Sequence, residues 1–467
     1  MDIREIFNRL QTSYRENPYP SKSIRLNGLK RLEEELMKRQ NDLKKALQQD
    51  FQKPTFETMG SELLTSLVEI RKARSNLKKW MAPKPVRTPT ELMGSRSFTR
   101  FEPKGVVLII APWNYPVNLS LVPLAAAWAA GNKVVVKPSE FSPNTSACIE
   151  DLVKSAFGED EVVVVNGDKK IVEQLIELPF DHIFFTGSQE KAKKLLHMTA
   201  DRLIPVTLEL GGKSPVIVDR GTDLKQYVQD IVFAKCLNAG QTCIGPDFLV
   251  IHESQREAFV KLWNESLFNL YGNELIENDD YCGIIHQDHF DRILQIIELS
   301  KSQGARLDRP IIINRDRRKI HPVLLLDTKW HHRSMEDEIF GPVLPVIVYQ
   351  EDNEWIEALR NLKIPLTLYL FSDRRQWLHE KSLHIRSGGI TINNCLLNYC
   401  NFNLPFGGMR ESGMGFNHGK FGFEAFSHLR SISIQGNWLN TLRLFHPPYT
   451  EAKYKLMNFL IKWIEKI

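Results

Sequence analysis

Cysteine is scarce and scattered in this chain, with six in 467 residues: Cys148, Cys236, Cys243, Cys282, Cys395 and Cys400. The nearest pairs, Cys395 with Cys400 and Cys236 with Cys243, lie five and seven residues apart. Neither is a C-x-x-C, and no histidine pair stands nearby at ligand spacing, which argues against a zinc module and against a disulfide framework. A reducing, cytoplasmic setting is the expectation, with most of the thiols acting as inert small apolar side chains. Long hydrophobic runs are missing as well. No stretch approaches the ~18 consecutive apolar residues that span a bilayer. Met1-Asp2-Ile3-Arg4-Glu5 lacks the apolar stretch of a secretion signal, so no export is expected. Charge of one sign is not in excess: 61 basic residues face 56 acidic ones, for a net charge of +5. No basic run with interleaved aromatics occurs, and a nucleic-acid partner is not expected. The composition that remains, 42% hydrophobic and 25% charged, is that of a soluble globular protein. Its length allows two or three domains.

Residues 1–80 read as amphipathic helices, with Leu29, Leu32, Leu36, Leu43 and Leu47 at helical spacing. The proline-rich stretch Pro83 to Thr90 cannot continue a helix. It leads into Ser97-Phe98-Thr99-Arg100-Phe101, which alternates like an edge or hairpin strand. From 105 onward, short apolar runs bounded by glycine and proline alternate with helical stretches. They are Val106–Ile110, Lys133–Val136, Val162–Val165, His182–Phe185 and Pro205–Leu208. This pattern predicts an α/β sheet with right-handed crossovers, whose ligands bind beyond the carboxyl ends of the strands. A second α/β unit begins near 213 with Val216–Val218 and continues through Phe248–Ile251, Val323–Leu326, Val343–Ile347 and Leu366–Leu370. The last helix, about 450–467, places Leu456, Phe459, Leu460, Trp463, Ile464 and Ile467 on one side among lysines. Packing on its own domain or on a partner subunit is expected first, and peripheral membrane contact second.

Three residues stand where such sheets put their chemistry. Cys243 follows a helix ending at Gly240, in a loop with small and polar neighbours whose amides would favour a thiolate. Alone it reads as one more buried cysteine. Glu209 ends an apolar strand before Gly211-Gly212, where partial burial suits a carboxylate to general-base work; the alternative is a salt bridge to Lys213. Asn114 follows the first strand of the sheet. Its amide is placed to donate to an oxyanion, or to cap the helix that starts at Pro116.

The chain resembles the aldehyde dehydrogenase superfamily through seven motifs in family order. They are Pro112-Trp113-Asn114-Tyr115-Pro116, Lys137-Pro138-Ser139-Glu140, Phe185-Thr186-Gly187-Ser188, Leu208-Glu209-Leu210-Gly211-Gly212-Lys213, Gly240-Gln241-Thr242-Cys243, Glu338-Ile339-Phe340-Gly341-Pro342 and Pro405-Phe406-Gly407-Gly408. Ser412-Gly413-Met414-Gly415, His418-Gly419-Lys420 and Phe423 to His428 are similar to the class 3 branch, which acts on fatty and aromatic aldehydes.

The resemblance implies a Rossmann-like NAD(P)-binding domain at 1–82 and 102–209 and a catalytic domain at 210–395. It also implies a bridging and oligomerisation element with the active-site loop at 83–101 and 396–440, ahead of the helix at 441–467. Cys243 is the implied nucleophile, Glu209 the deacylation base and Asn114 the oxyanion donor. Implied cofactor contacts are Trp113, Lys137, Glu140, Gly187, Ser188, Glu338 and Phe340. Tyr115, Asn118, Thr242 and Ile392 are the expected lining of the aldehyde tunnel. NAD is expected, favoured because Glu140 repels a 2′-phosphate, with NADP also accepted in this branch. A homodimer is implied too. The chain departs from the pattern at Ala192, where the family's nucleotide turn usually has glycine, and the added methyl is expected to narrow the cofactor site or the helix packing. Transfer of the acyl group to coenzyme A and a non-catalytic, crystallin-like role are the competing readings; Glu209 speaks against the first and the intact Asn114, Glu209 and Cys243 against the second.

Overall fold

Leucines at helical spacing make the N-terminal region helical, as Ile3–Glu16, Lys22–Lys38, Gln40–Phe51 and Thr65–Met81. Leu29, Leu32, Leu36, Leu43 and Leu47 are all buried, so the predicted stripe is the packed face. The computed structural model describes residues 2–464. They fall into two units, one of Met1–Leu77 with Pro103–Ser427, the other of Lys78–Glu102 with His428–Ile467.

The smaller unit is built on strands β1 (Lys84–Val86) and β2 (Ser95–Pro103), paired antiparallel with Pro85 opposite Phe98. In the larger unit the apolar runs become β3 (Val106–Ile110), β4 (Lys133–Lys137), β5 (Val162–Val164), β6 (His182–Gly187) and β7 (Val206–Leu210). All pair in parallel in the order β7-β6-β3-β4-β5. Strand β3 has both of its neighbours later in sequence, so the winding reverses there. This switch point is where doubly wound sheets open a ligand crevice.

A second sheet takes β8 (Pro215–Val218), β9 (Phe248–His252) and β10 (Arg306–Leu307). After the small hairpin β11 (Ile313–Asn314) and β12 (Lys319–Ile320), it adds β13 (Val323–Leu326), β14 (Val343–Tyr349), β15 (Thr367–Phe371) and β16 (Gly389–Ile392). Its order is β10-β13-β14-β9-β8-β15-β16, parallel except at β10. Strand β17 (Gly413–Met414) returns to the first sheet and runs antiparallel along β7, with Gly413 opposite Glu209. Gly413 sits at φ +151°, and a Cβ there would stand 2.4 Å from the carbonyl of Leu208, so only glycine lets the two backbones approach this closely. Strand β18 (Ser427–Gln435) completes the small sheet beside β2.

The domain boundaries differ from the sequence-based ones. Both large sheets belong to one unit, and residues 396–427 belong to it as well, because β17 pairs with β7 rather than with the bridging strands. The C-terminal helix is Glu451–Ile464, with Leu456, Phe459 and Ile461 exposed. Ile467 and Lys466 of the expected stripe, and the side chains of Trp463 and Ile464, lie outside the described residues. Among the described residues no helix is long and apolar enough to cross a membrane.

Candidate active site

Beyond the carboxyl ends of β3, β6 and β7 lies a cavity of about 1090 Å³, walled by Asn114, Glu209, Cys243, Glu338 and Phe340 among others. Of the six cysteines only Cys243 lines it. The thiol is carried by a short segment between the helix Val228–Cys236 and β9. That segment is held tightly. Asn238 and Ala239 both occupy left-handed backbone, at φ 53° and 52°, a conformation that costs a non-glycine residue about 1–2 kcal/mol. Gln241 donates from Nε2 to the carbonyls of Asn238 (2.9 Å) and Gly283 (3.0 Å) and accepts from the Ile285 N–H (3.0 Å). Sequence reasoning expected local amides to favour the thiolate. The N–H groups of Ile244 and of Cys243 itself do act in that direction, but burial and the nearby carboxylates of Glu338 and Glu209 outweigh them and push the thiol up to about 12. In this state the sulfur is protonated, and a base must take its proton before it can attack.

Glu209 lines the same wall. It is buried on β7 between Thr186 of β6 and Gly413 of β17, and neither carboxylate oxygen has a hydrogen-bond partner. Burial alone holds its carboxyl well above the usual carboxylate range. The alternative of a salt bridge to Lys213 is excluded, since that ammonium is taken by Asp247 and by the carbonyls of Ser334 (2.7 Å) and Asp337 (3.0 Å). A buried carboxyl with both oxygens open and facing a cavity is costly to stability and suited to accepting a proton from a bound molecule.

Asn114 does not cap the helix Pro116–Ala130. Its Nδ2 donates to the carbonyl of Gln241 (3.1 Å), in the Cys243 loop, which leaves the second amide hydrogen for a ligand. The carbonyl of Asn114 in turn accepts from Asn238 Nδ2 at 2.9 Å, so the two segments hold each other. The cap comes from Glu62, whose Oε2 accepts from the N–H groups of Val117 (3.1 Å) and Asn118 (2.9 Å). Its Oε1 pairs with Lys53 Nζ at 2.8 Å; both side chains are fully buried, and the ammonium lies 3.9 Å from the Tyr115 ring centroid. Nothing in the local sequence marked Lys53 and Glu62, which lie far from every motif. Lys53→Met leaves Glu62 as an unpaired buried charge and is expected to cost about 3–5 kcal/mol. A lower Tm for the single variant, partly restored in Lys53→Met with Glu62→Gln, checks this.

The nucleotide contacts expected from the sequence gather on the same cavity. Lys137 ends β4 and bonds Glu140 at 2.9 Å. Ser188 caps the helix Gln189–Thr199, whose first-turn residues Gln189 and Glu190 line the cavity after Gly187. Open N–H groups at such a helix start suit a pyrophosphate. Glu338 rests on Gly211, where a Cβ would meet its Oε2 at 1.9 Å; burial and the neighbouring Asp247 push its carboxyl up to about 8. Trp113 meets Phe340 edge-on at 5.4 Å, and Phe340 is fixed by a 2.8 Å bond from His289 to its carbonyl. Thr186 Oγ1 is buried without a partner on the same wall. This set of unfilled donors and acceptors fits a dinucleotide. Of the two effects expected of Ala192, narrowing of the cofactor site is not seen: its methyl does not line the cavity and is buried in the core with Leu195, Ile183 and Phe185, where it bears on the helix packing.

None of the four residues expected to line the aldehyde tunnel is on the cavity wall itself. Tyr115 bonds Thr242 through its hydroxyl at 2.7 Å. Asn118 donates to Thr65 at 2.6 Å and accepts from the hydroxyl of Tyr399, which does line the cavity. Ile392 belongs to the second sheet. It ends the edge strand β16, where the pleat buries Thr391 and leaves Ile392 45% exposed, away from the cavity wall. Sequence reasoning missed Tyr399, Phe406 and His418, which the fold brings to the wall from a loop far along the chain. Phe406 and His418 both lie within motifs of the sequence, but nothing local showed which way they would face.

Comparison with known proteins agrees with this geometry. A family model for the Aldehyde dehydrogenase family matches residues 4–432. The chain is 36% identical to a probable coniferyl aldehyde dehydrogenase of Caulobacter vibrioides, over 98% of this chain and 97% of that protein. It is also 36% identical to aldehyde dehydrogenase family 3 member A2 of Pongo abelii, over 94% of this chain and 90% of that one. Among solved structures, the substrate-bound AldH of Staphylococcus aureus superposes with a TM-score of 0.94 at 35% identity, covering 99% of this chain and all of that one. The chain therefore belongs to the aldehyde dehydrogenase family, in its class 3 branch, and is an NAD(P)-using oxidoreductase of aldehydes.

Proposed function

We propose that this enzyme oxidises apolar aldehydes, medium- or long-chain aliphatic or aromatic, to free carboxylic acids through a thioester on Cys243. The observation that carries this reading is Glu209, buried on the wall that holds Cys243 with both carboxylate oxygens unpartnered. Once the Cys243 thiol has given its proton to solvent water, the sulfur adds to the carbonyl carbon and gives a thiohemiacetal, whose oxyanion is held by the free Asn114 amide hydrogen and the backbone N–H of Cys243. Bound NAD(P) supplies the hydride acceptor that converts the thiohemiacetal into a thioester. Glu209 then takes a proton from water as the water oxygen attacks the thioester carbonyl, and the sulfur leaves as thiolate. Lys137, Glu140, Gly187, Ser188, Glu338, Phe340 and Trp113 would hold the dinucleotide. With Glu140 on that wall, NAD is expected to exceed NADP in kcat/KM by a modest margin, about two- to fivefold, because like charges oppose the 2′-phosphate while Lys137 offsets part of the Glu140 charge.

Product analysis tests the acceptor. Decanal with NAD is expected to give decanoic acid at the same rate with or without coenzyme A. Faster formation of decanoyl-CoA than of acid would replace water by coenzyme A as the acceptor. Chain walls of Leu119, Leu366, Tyr399 and Phe406 support an apolar or aromatic substrate, and a panel of aldehydes of increasing length checks it. A homodimer is the proposed assembly, supported by Leu429 and Ile434, both about half exposed on β18. Leu456, Phe459 and Ile461, uncovered beside Lys453, Lys455 and Lys462, support contact of the last helix with a partner subunit or, as a second reading, with a membrane surface. Six free thiols support a cytoplasmic location.

A further inference from the structure

One buried side chain of the cavity wall, His418, has no part in the chemistry at Cys243, and it is paired with Glu69 behind it. His418 Nδ1 lies 2.9 Å from Glu69 Oε1, and both side chains are almost wholly buried. The Glu69 carboxylate also accepts from the Gly419 N–H, at 3.0 Å to Oε2, so its position is set from two sides. The ring is clamped by aromatics: Phe402 stacks on it at 5.3 Å and 11°, Tyr399 meets it edge-on at 4.6 Å, and Phe406 lies at 5.2 Å. Its backbone sits at φ +73°, a conformation a residue with a Cβ holds only when its surroundings impose it. Such over-determination exceeds what a filler of the core requires.

Glu69 accepts the Nδ1 proton and thereby fixes the tautomer, which leaves Nε2 as the ring's open hydrogen-bonding position. Among the described residues Nε2 has no hydrogen-bond partner, and His418 lines the cavity that contains Cys243. Tyr399 and Phe406, which hold the ring, also pack with Cys243 and Ile244, so the imidazole is one aromatic ring removed from the thiol. The Tyr399 hydroxyl is already committed to Asn118. The wall beside the sulfur is thus aromatic with one unfilled, rigidly held hydrogen-bonding nitrogen.

We infer that His418, oriented by Glu69, forms a specificity subsite that recognises a hydroxyl on the distal end of an aromatic aldehyde, so that phenolic aldehydes are preferred over their unsubstituted counterparts. The aromatic faces take the substrate's ring, and Nε2 accepts from its phenolic O–H. No bond is made or broken at His418; it acts on substrate choice. This rests on Cys243 being the nucleophile of an aldehyde-oxidising site.

The test compares kcat/KM for 4-hydroxycinnamaldehyde and cinnamaldehyde, with NAD, in wild type, His418→Phe, His418→Gln and Glu69→Gln. Wild type is expected to prefer the phenol by about three- to tenfold, the worth of one net hydrogen bond. In His418→Phe the ratio should fall to about one, chiefly through a higher KM for the phenol, and His418→Gln, which keeps a polar amide, should retain part of it. Glu69→Gln should lower the ratio by loosening the ring. A wild type with no preference, or a His418→Phe variant that loses both substrates in equal proportion, overturns the subsite; the second result marks a structural role. Decanal serves as the control. If wild type oxidises decanal but neither cinnamaldehyde, only the subsite fails, whereas loss of all three overturns the underlying reaction.

Discussion

Cys243→Ala is expected to abolish NADH formation from any aldehyde, with kcat falling by a factor on the order of 10⁴ to 10⁶, as when the covalent nucleophile of an enzyme is removed. No other thiol can substitute. Cys236 and Cys282 are buried away from the cavity wall, and burial raises both thiols further still. The substitution removes one sulfur from a half-buried position, so the fold should persist, and an unchanged NAD affinity would show that the loss is chemical. Substantial activity in the alanine variant would end the covalent mechanism and leave only binding and the oxyanion donors. The raised thiol adds a pH dependence. Because the sulfur must lose a proton that burial, Glu338 and Glu209 all oppose losing, the rate of thioester formation in wild type should rise with pH through the neutral and alkaline range.

Glu209→Gln separates the two halves of the reaction. The amide matches the carboxyl in shape but cannot accept a proton from water, so one equivalent of NADH should appear in a burst, followed by a steady state about 10² to 10⁴ slower. Stopped-flow absorbance and trapping of the acyl-enzyme check this; equal loss of both phases would move the deacylation base elsewhere. The same variant reports on stability. Burial raises the Glu209 carboxyl, so between its unfolded and folded pKa the native state holds more protons than the unfolded chain. Stability contributed by the neutral carboxyl is therefore present at acid pH and lost as pH rises through that window. Glutamine does not titrate. Its Tm relative to wild type should be higher at about pH 8 than at about pH 5, the opposite of what a salt-bridged glutamate would show.

Much of this site is readable along the chain because the chemistry sits at strand ends. Asn114, Gly187 and Glu209 each follow an apolar run, and a parallel sheet brings those ends to one edge by its hydrogen-bond register alone. Which way a strand-end side chain faces is not local: on the edge strand β16 the pleat turns Thr391 inward and leaves Ile392 exposed. Ala192 occupies a position where the family's nucleotide turn usually has glycine, which leaves open whether its methyl faces the cofactor or the helix packing. Only the direction of its Cβ, into the core behind the helix, shows that the cavity is not narrowed.

By itself the sequence determined the strand-and-helix alternation, the strand-end positions of Asn114 and Glu209, and the loop that carries Cys243, because hydrophobic period and turn chemistry are local properties. Tertiary structure alone decided the state of those groups. Burial and two carboxylates raise the thiol instead of lowering it, Lys213 goes to Asp247 and leaves Glu209 open, and Glu62 caps the helix Pro116–Ala130 by accepting from N–H groups 55 and 56 residues away. Proton affinity depends on which charges and how much water surround a group, and those are set by residues distant in sequence. His418 belongs with these: its type was visible in a motif, but its Glu69 partner and its place on the wall exist only in the folded chain.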